Sequence, residues 1–316
     1  TGNLIKIMVL FSHILFFIKE ENMVKILLGI LLLMGLWYLG IFIKDYKEFK
    51  KSDKVEKENK VVLSSIGFVL CFFDTLGIGG FAPMTAIFKQ FKLVNDRIIP
   101  GTLNAAMTIP IIVEALIFIK DVKVDLITLV SMLVAATLGA ILGAGYVSKL
   151  NEKKVQLYMG IALIIVALIM LAGKLGVLPS GGDAVGLTGI KLIIAIVGNF
   201  ILGALMTLGI GLYAPCMALV YALGLSPLVA FPIMMGSCAY LMPAATAKFI
   251  RAGAYHRGAT LWGTIFGSIG VIVAAYLVKS LPISILTWIV IGVVLYTSLN
   301  LLKDSFSSNK QETINA

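Results

Sequence analysis

The residues best suited to bind a ligand lie in a short motif that occurs twice. Residues 75–83 read Thr-Leu-Gly-Ile-Gly-Gly-Phe-Ala-Pro, and residues 207–215 read Thr-Leu-Gly-Ile-Gly-Leu-Tyr-Ala-Pro. Seven of the nine positions are identical, and an eighth is aromatic in both copies. Glycine lets the backbone leave the helical conformation, and proline is well tolerated in the first turn of a new helix. Each copy therefore predicts a helix that breaks and restarts.

The chemistry that this motif predicts is the binding of an anion by backbone groups. A helix that starts at Pro83 or Pro215 presents N–H groups without intrahelical partners, and the helix dipole adds positive potential there. Glycine amides can approach a ligand closely, and threonine hydroxyls can donate hydrogen bonds to it. The alternative is that the glycines only allow close helix packing. The predicted substrate-binding residues are Thr75, Gly77, Gly79, Ala82, Asn104, Thr207, Gly209, Gly211, Ala214 and Ser237.

Two acidic residues in apolar segments, Asp74 and Glu114, are candidates for coupling transport to protons. Ionisable residues inside a membrane are costly and usually functional. Asp74 directly precedes the first break, where its negative charge would repel a bound anion, so protonation would favour loading of the anion. The alternatives are that Asp74 caps a helix end and that Glu114 is a structural partner of Asn104.

The sequence shows no set of residues for catalysis. His13 and His256 are the only histidines, and both fall at predicted membrane edges. The cysteines Cys71, Cys216 and Cys238 lie in apolar segments, where free cysteine is usually a small core residue. Their spacing matches no metal site or disulfide framework. We therefore predict that the protein is not an enzyme and binds no metal or cofactor.

The composition excludes a soluble globular protein. Hydrophobic residues make up 59% of the chain and charged residues 13%, and the mean hydropathy is +1.02. Several apolar runs are long enough to cross a bilayer, which predicts an all-α polytopic membrane protein. The net charge of +10 comes largely from lysines between apolar runs, with seven of them between Lys44 and Lys60. That placement predicts membrane topology and contact with lipid headgroups, and it argues against nucleic acid as a partner.

The chain divides into an N-terminal part, two repeats and a tail. One span at residues 24–43 is clear, and an apolar run before it either spans or lies at the interface, so one or two extra helices precede the repeats. The predicted segments are N-terminal helices at 1–43, a basic cytoplasmic linker at 44–60, a first transport repeat at 61–173, an external loop at 174–187, a second transport repeat at 188–302 and a polar tail at 303–316.

The charges of the loops predict how the two repeats face. If each broken helix returns to the side from which it came, the basic loops all lie in the cytoplasm, as the positive-inside rule requires. Each repeat then has one re-entrant helix hairpin and three full spans. Because that number of spans is odd, the second repeat is inverted relative to the first, a symmetry common in carriers. This arrangement also predicts a cytoplasmic C-terminus.

Residues beyond the motif carry a resemblance to a known family. Residues 67–68, 72–79, 81–86, 96–104 and 114–116, together with 209–215 and 248–258 of the second copy, resemble the TauE/SafE sulfite exporter family. The resemblance covers about residues 60–302. It implies a carrier in the inner or plasma membrane that exports sulfite or small organosulfonates and is driven by protons or the membrane potential.

Two other classes of function stay open at the level of sequence. One is a membrane-embedded thiol or sulfur-relay enzyme that uses the three cysteines, and the other is an anion channel. The predicted partners are a small inorganic or organosulfur anion and membrane lipid. Whether the chain forms a homo-oligomer also stays open.

Overall fold

The computed structural model describes residues 20–52, 56, 58–77, 79–95, 98–147, 152–176, 182–206 and 212–307. These residues form eleven α-helices and a short 3-10 helix, with no β-strand among them. The all-α class predicted from composition is therefore confirmed. The helices are α1 (Glu20–Lys51), α2 (Lys60–Thr75), α3 (Phe81–Gln90), α4 (Ile99–Asp121), α5 (Leu126–Val147), α6 (Glu152–Lys174), α7 (Gly189–Met206), α8 (Tyr213–Ala222), α9 (Ala230–Arg251), α10 (Arg257–Ser280) and α11 (Ile283–Ser307).

Helix boundaries follow local signals in the sequence. Asn59 precedes α2, and its side chain accepts a hydrogen bond from the N–H of Val62 at 3.3 Å. His256 caps α10 in the same way by accepting from the N–H of Ala259 at 3.0 Å. These side chains satisfy N–H groups that a first helical turn leaves unpaired. Helix α1 runs to Lys51, into the segment predicted as linker. Its last turns are rich in charged residues and can remain helical in water, outside the membrane.

Seven of the described helices are long and apolar enough to cross a membrane: α1, α4, α6, α7, α9, α10 and α11. Helix α2 has 16 residues, which span about 24 Å at 1.5 Å per residue, less than the roughly 30 Å of hydrocarbon core. In α4 and α9, 72% of the most apolar stretch is buried, against 28% in α1, α7 and α11. Helices α4 and α9 therefore form the centre of the protein.

Glycines allow two pairs of helices to pack with their backbones almost in contact. Helix α2 packs on α10, where Gly67 faces Gly263 and Gly270 faces the carbonyl of Phe68. Helix α5 packs on α7, where Gly139 faces the carbonyl of Phe200. A methyl group at Gly139 would lie 1.9 Å from that oxygen. The close approach of the two helices therefore requires glycine here. Small residues commonly play this part at helix interfaces in membranes.

Helix α1 is fastened to the rest of the chain at its C-terminal half. The hydroxyl of Tyr38 donates to the carbonyl of Ala105 in α4 at 2.6 Å. Beyond it, Arg257 at the start of α10 pairs with Asp45 at 2.8 Å and with Glu56 at 3.4 Å. The guanidinium also lies 4.5 Å from the ring centroid of Phe49. These contacts hold the end of α1 and part of the linker against the turn between α9 and α10.

Candidate functional site

The first motif contains the break between α2 and α3. Helix α2 ends at Thr75 and α3 begins at Phe81. Between them, Gly77 has φ +91° and Gly79 has φ +85°. Residues other than glycine rarely adopt such backbone angles, so both glycines are needed for the chain to turn here.

The second motif lies partly outside the described residues. Helix α7 ends at Met206 and α8 begins at Tyr213, so the predicted site residues Thr207, Gly209 and Gly211 fall in the part that is not described. Ala214 is in the first turn of α8 and is buried. In the first copy, Ala82 occupies the corresponding position in α3.

Helix α8 of the second copy packs directly against the break of the first copy. A methyl group built on Gly77 would lie 2.7 Å from Cε and 3.1 Å from Sδ of Met217, two residues after Pro215. The neighbouring Gly80 faces Met107 of α4 in the same way, at 2.7 Å. Gly79 differs, because a methyl group there would meet no described residue within 4 Å. Thioether side chains therefore enclose the break on two sides, at Gly77 and at Gly80.

Glu114 joins three helices through hydrogen bonds beside this break. Its Oε1 lies 2.8 Å from the hydroxyl of Thr75 at the end of α2, and its Oε2 accepts from the hydroxyl of Tyr213 at 2.8 Å. Thr75 and Glu114 are completely buried. Asn104, the partner predicted for Glu114, instead donates from its side-chain nitrogen to the carbonyl of Pro100 at 2.9 Å, one turn earlier in α4.

The two carboxylate oxygens of Asp74 differ in their contacts. Its Oδ1 accepts from the N–H of Gly80, immediately before α3, at 2.6 Å. This bond matches the capping alternative, because it satisfies a donor at the start of a helix. Its Oδ2 is buried and has no hydrogen-bond partner among the described residues. Such an orphaned polar atom is rare in a protein interior and calls for a proton, an ion or a ligand.

Ser237 belongs to a different polar cluster. The side-chain nitrogen of Asn199 in α7 lies 3.0 Å from the Ser237 hydroxyl and 2.7 Å from the carbonyl of Met132 in α5. The Ser237 hydroxyl also lies 2.7 Å from the carbonyl of Ile233. Of the described residues predicted to bind substrate, the structure thus brings Thr75 and Gly77 together with Asp74 and Glu114. Neither Asn104 nor Ser237 joins the hydrogen-bond network of Glu114.

Tyr213 is the residue that sequence reasoning missed. It is buried and supplies the bond between the second copy and Glu114. The signal was present in the motif, since the aromatic position is Phe81 in the first copy and Tyr213 in the second. The change from phenylalanine to tyrosine adds one hydroxyl group, and a buried tyrosine hydroxyl usually has a partner.

The remaining reactive groups near the site are sulfur atoms. Cys71, Cys216 and Cys238 are buried free thiols. The thiol of Cys238 lies 3.7 Å from the thioether of Met206. Within the described ranges, no group of three or more His, Cys, Asp or Glu residues is placed to hold a metal ion.

Comparison with known proteins identifies the family. The model of the sulfite exporter TauE/SafE family matches residues 7–170, more than half of the 316 residues. The match begins before α1 and ends within α6, so it reaches further toward the N-terminus than the resemblance seen in the sequence, which covers about residues 60–302, and does not reach the second motif. No curated protein and no solved structure matches the chain. Seven helices in the described part of the chain are long and apolar enough to span a membrane, and with this family match the protein is a multi-pass membrane protein with a role in transport. The chain belongs to the TauE/SafE sulfite exporter family.

Proposed function

We propose that the protein exports a small sulfur oxyanion, sulfite or an organosulfonate, through a site in the middle of the membrane where the two helix breaks meet. The observation that carries this proposal is the contact of Met217 in α8 with Gly77 in the first break. The two motifs are 132 residues apart in the chain, and yet the second half-helix packs on the first break. Irregular backbone at membrane depth is tolerated where it is buried in protein or lines a watery cavity.

The packing of the helices supports two repeats that are related by a twofold axis, because contacts between the repeats occur in equivalent pairs. At the 132-residue offset, Phe68 corresponds to Phe200, and after a one-residue slip Gly139 corresponds to Gly270. Gly270 contacts the carbonyl of Phe68, and Gly139 contacts the carbonyl of Phe200. Each of these contacts therefore turns into the other when the copies are exchanged.

A second pair of contacts obeys the same rule. At the same two offsets, Cys71 corresponds to Gly203 and Ala136 corresponds to Gly267. Gly267 lies against Cys71, and Gly203 lies against Ala136. Exchange of this kind is expected of a twofold relation, and it supports two inverted repeats that each contain a re-entrant hairpin. In this arrangement the carrier lies in the cell membrane with its C-terminus in the cytoplasm.

The carboxylates beside the break favour coupling to protons. At a distance of 4 Å, two like charges repel by about 4 kcal/mol at an effective dielectric constant of 20. An anion bound at the start of α3 or α8 would meet this repulsion from Asp74 unless the acid were protonated. A positively charged side chain does not offset it, because no ion pair among the described residues reaches Asp74 or Glu114.

The test is transport by the purified full-length protein in liposomes. We expect labelled sulfite to leave loaded proteoliposomes down its gradient, with saturation, and empty liposomes to release it only slowly. Organosulfonates and other small oxyanions complete the panel, and pH and voltage gradients are imposed separately. Lack of flux for every anion in the panel would contradict the proposal, and unitary currents would indicate a channel.

The three cysteines separate transport from a sulfur relay. All of them are buried, so replacement by alanine tests their chemistry with little change of surface. A carrier retains most of its flux after the triple replacement of Cys71, Cys216 and Cys238 by alanine. A relay enzyme loses its activity, because thiolate is the reactive species.

A further inference from the structure

The hydrogen-bond partners of Glu114 require one more hydrogen than an ionised carboxylate allows. The hydroxyl oxygen of Thr75 lies 2.8 Å from Glu114 Oε1 and 2.9 Å from the carbonyl oxygen of Cys71. A threonine hydroxyl has a single hydrogen, and both neighbours are acceptors if Glu114 is ionised. If Oε1 carries a proton, Glu114 donates to Thr75, Thr75 donates to Cys71, and Tyr213 donates to Oε2. Every contact then contains one hydrogen.

Asp74 lacks such an arrangement. Its Oδ1 accepts from the N–H of Gly80, and no described residue donates to its buried Oδ2. The residue is 3% exposed, and its carboxyl carbon would lie 3.5 Å from a methyl group built on Gly80. A proton on Oδ2 is therefore not fixed by a hydrogen bond to any described residue, and it is held less firmly than the proton of Glu114.

No cation lies beside Asp74 among the described residues. Among the described residues, the titratable groups that interact with Asp74 electrostatically are Cys71 of the same helix, Glu114 of α4, Tyr213 of α8 and Cys238 of α9. None of them is a cation that could neutralise an ionised Asp74. A buried charge without a partner is very unfavourable, and an incoming anion makes it more so.

Only the first copy carries these acids. At the 132-residue offset, Asp74 corresponds to Met206 and Glu114 corresponds to Thr246. The two breaks share the glycines and the proline but differ in the groups that can hold a proton. Each protein chain therefore has one exchangeable acid where the copies meet.

We propose that the two acids have different roles: Glu114 keeps its proton and is positioned by Thr75 and Tyr213, whereas Asp74 takes up one proton with each anion and releases it with that anion. This inference rests on the proposed transport of an oxyanion. It adds that anion and proton move in the same direction, so that each transport step moves one negative charge fewer than the anion alone.

The experiment compares wild type with Asp74→Asn in sulfite-loaded proteoliposomes that contain a pH-sensitive dye. We expect wild type to move one more proton per sulfite than the variant. Sulfite titrates in the same pH range, and that contribution is common to both proteins. The variant should retain sulfite exchange, because an amide is neutral like the protonated acid. Because the titration of sulfite affects both proteins alike, the ratio of the wild-type rate to the variant rate reports on Asp74, and it should fall by up to about tenfold per pH unit between about pH 6 and 8.

The remaining variants are controls. Asp183→Asn, at an exposed loop residue, should behave as wild type, and Asp74→Glu should restore proton movement in part. Equal proton counts for wild type and Asp74→Asn would overturn the inference while leaving the proposed transport intact. An Asp74→Asn protein that is monodisperse but exchanges no sulfite would also overturn it. Lack of sulfite flux in wild type, together with the rest of the panel, would instead overturn the proposed function.

Discussion

The two glycines of the first break have different surroundings although their backbone angles are similar. Gly77 and Gly79 both have positive φ, near +90°. Gly77 faces Met217 and Met234, whereas Gly79 faces no atom within 4 Å in the described part of the chain. The cost of a side chain at Gly79 is therefore backbone strain alone, and at Gly77 a steric clash is added.

This difference predicts unequal effects of alanine. Gly79→Ala should lower the free energy of unfolding by about 1–2 kcal/mol, which is the usual cost of an L-residue at this φ. Gly77→Ala should cost roughly 1–3 kcal/mol more, because Met217 must move in a packed interior. Thermal unfolding in detergent measures the order of the two variants. Equal losses of stability would show that Met217 can move at no cost, and that α8 does not pack firmly against the first break.

Tyr213 should affect coupling more than stability. Tyr213→Phe removes the hydroxyl that donates to Glu114, and Tyr240→Phe is the matched control because that hydroxyl donates to the carbonyl of Leu27 at 2.8 Å. Tyr213→Phe should cost about 1–3 kcal/mol of stability, since it leaves Glu114 Oε2 unsatisfied, and Tyr240→Phe about 0.5–1.5 kcal/mol, since the carbonyl of Leu27 keeps its bond within α1. Only Tyr213→Phe should change the pH profile of sulfite exchange. Identical pH profiles for both variants would assign Tyr213 a structural role alone.

At the scale of helices, the close contacts of α2 with α10 and of α5 with α7 are made by backbone rather than by side chains. A methyl group at Gly270 would lie 2.3 Å from the carbonyl oxygen of Phe68. The equivalent distance for Gly139 and Phe200 is 1.9 Å. Since a backbone carbonyl cannot rotate away without loss of its own helix hydrogen bond, the helices would have to separate.

Alanine at either glycine should therefore destabilise the protein to a similar degree. We expect Gly139→Ala and Gly270→Ala each to cost roughly 2 kcal/mol or more, in the range of overpacked interiors. Gly292→Ala in α11 is the control, because a methyl group there meets no described atom within 4 Å and alanine favours the helix. Unfolding midpoints in detergent test this expectation. A large loss in only one of the two variants would argue against exchange of the copies.

At the scale of the whole molecule, the Arg257 contacts fasten the end of α1 and the linker to the helical core. Burial and a hydrogen bond to Asp45 raise the pKa of Tyr255, which lies against the guanidinium. Tyr255 therefore stays a hydrogen-bond donor at physiological pH. The contacts join the N-terminal part of the chain to its second half, so they act on the arrangement of the whole protein.

Removal of this cation should free the linker while the transport core remains folded. In Arg257→Gln, we expect cleavage by trypsin after Lys50 and Lys51 to become several-fold faster, because the segment opens locally at less cost. Arg251→Gln, an exposed cation at the end of α9, should leave the cleavage rate unchanged. Equal cleavage of both variants would mean that the other contacts of α1 hold the segment.

The orientation of the chain is also a property of the whole molecule. Loop charges predict that residue 52 faces the cytoplasm and that residue 183 faces the outside. In the cysteine-free protein, an impermeant thiol reagent applied to intact cells should label Asp183→Cys and should label Ser52→Cys only after the membrane is permeabilised. The reverse pattern would invert the topology and contradict the re-entrant arrangement.

The sequence by itself determined the membrane location, the helical class, the family and the first break. These features depend on local composition and on residues that repeat at a fixed offset, and both can be read without knowledge of contacts. Apolar runs require helices in a membrane because every backbone group must be paired within the segment. Asp74 and Glu114 were also identifiable, since an ionisable residue in an apolar run is conspicuous.

Only the tertiary structure decided which groups meet. Glu114 bonds with Thr75, 39 residues away, and with Tyr213, 99 residues away, rather than with Asn104 in its own helix. Two further features depend on the packing: Oδ2 of Asp74 has no partner among the described residues, and Ser237 bonds in a different cluster. The physical reason is that a hydrogen bond requires two atoms about 3 Å apart. For residues on different helices, that distance is set by how the helices pack and not by their spacing in the chain.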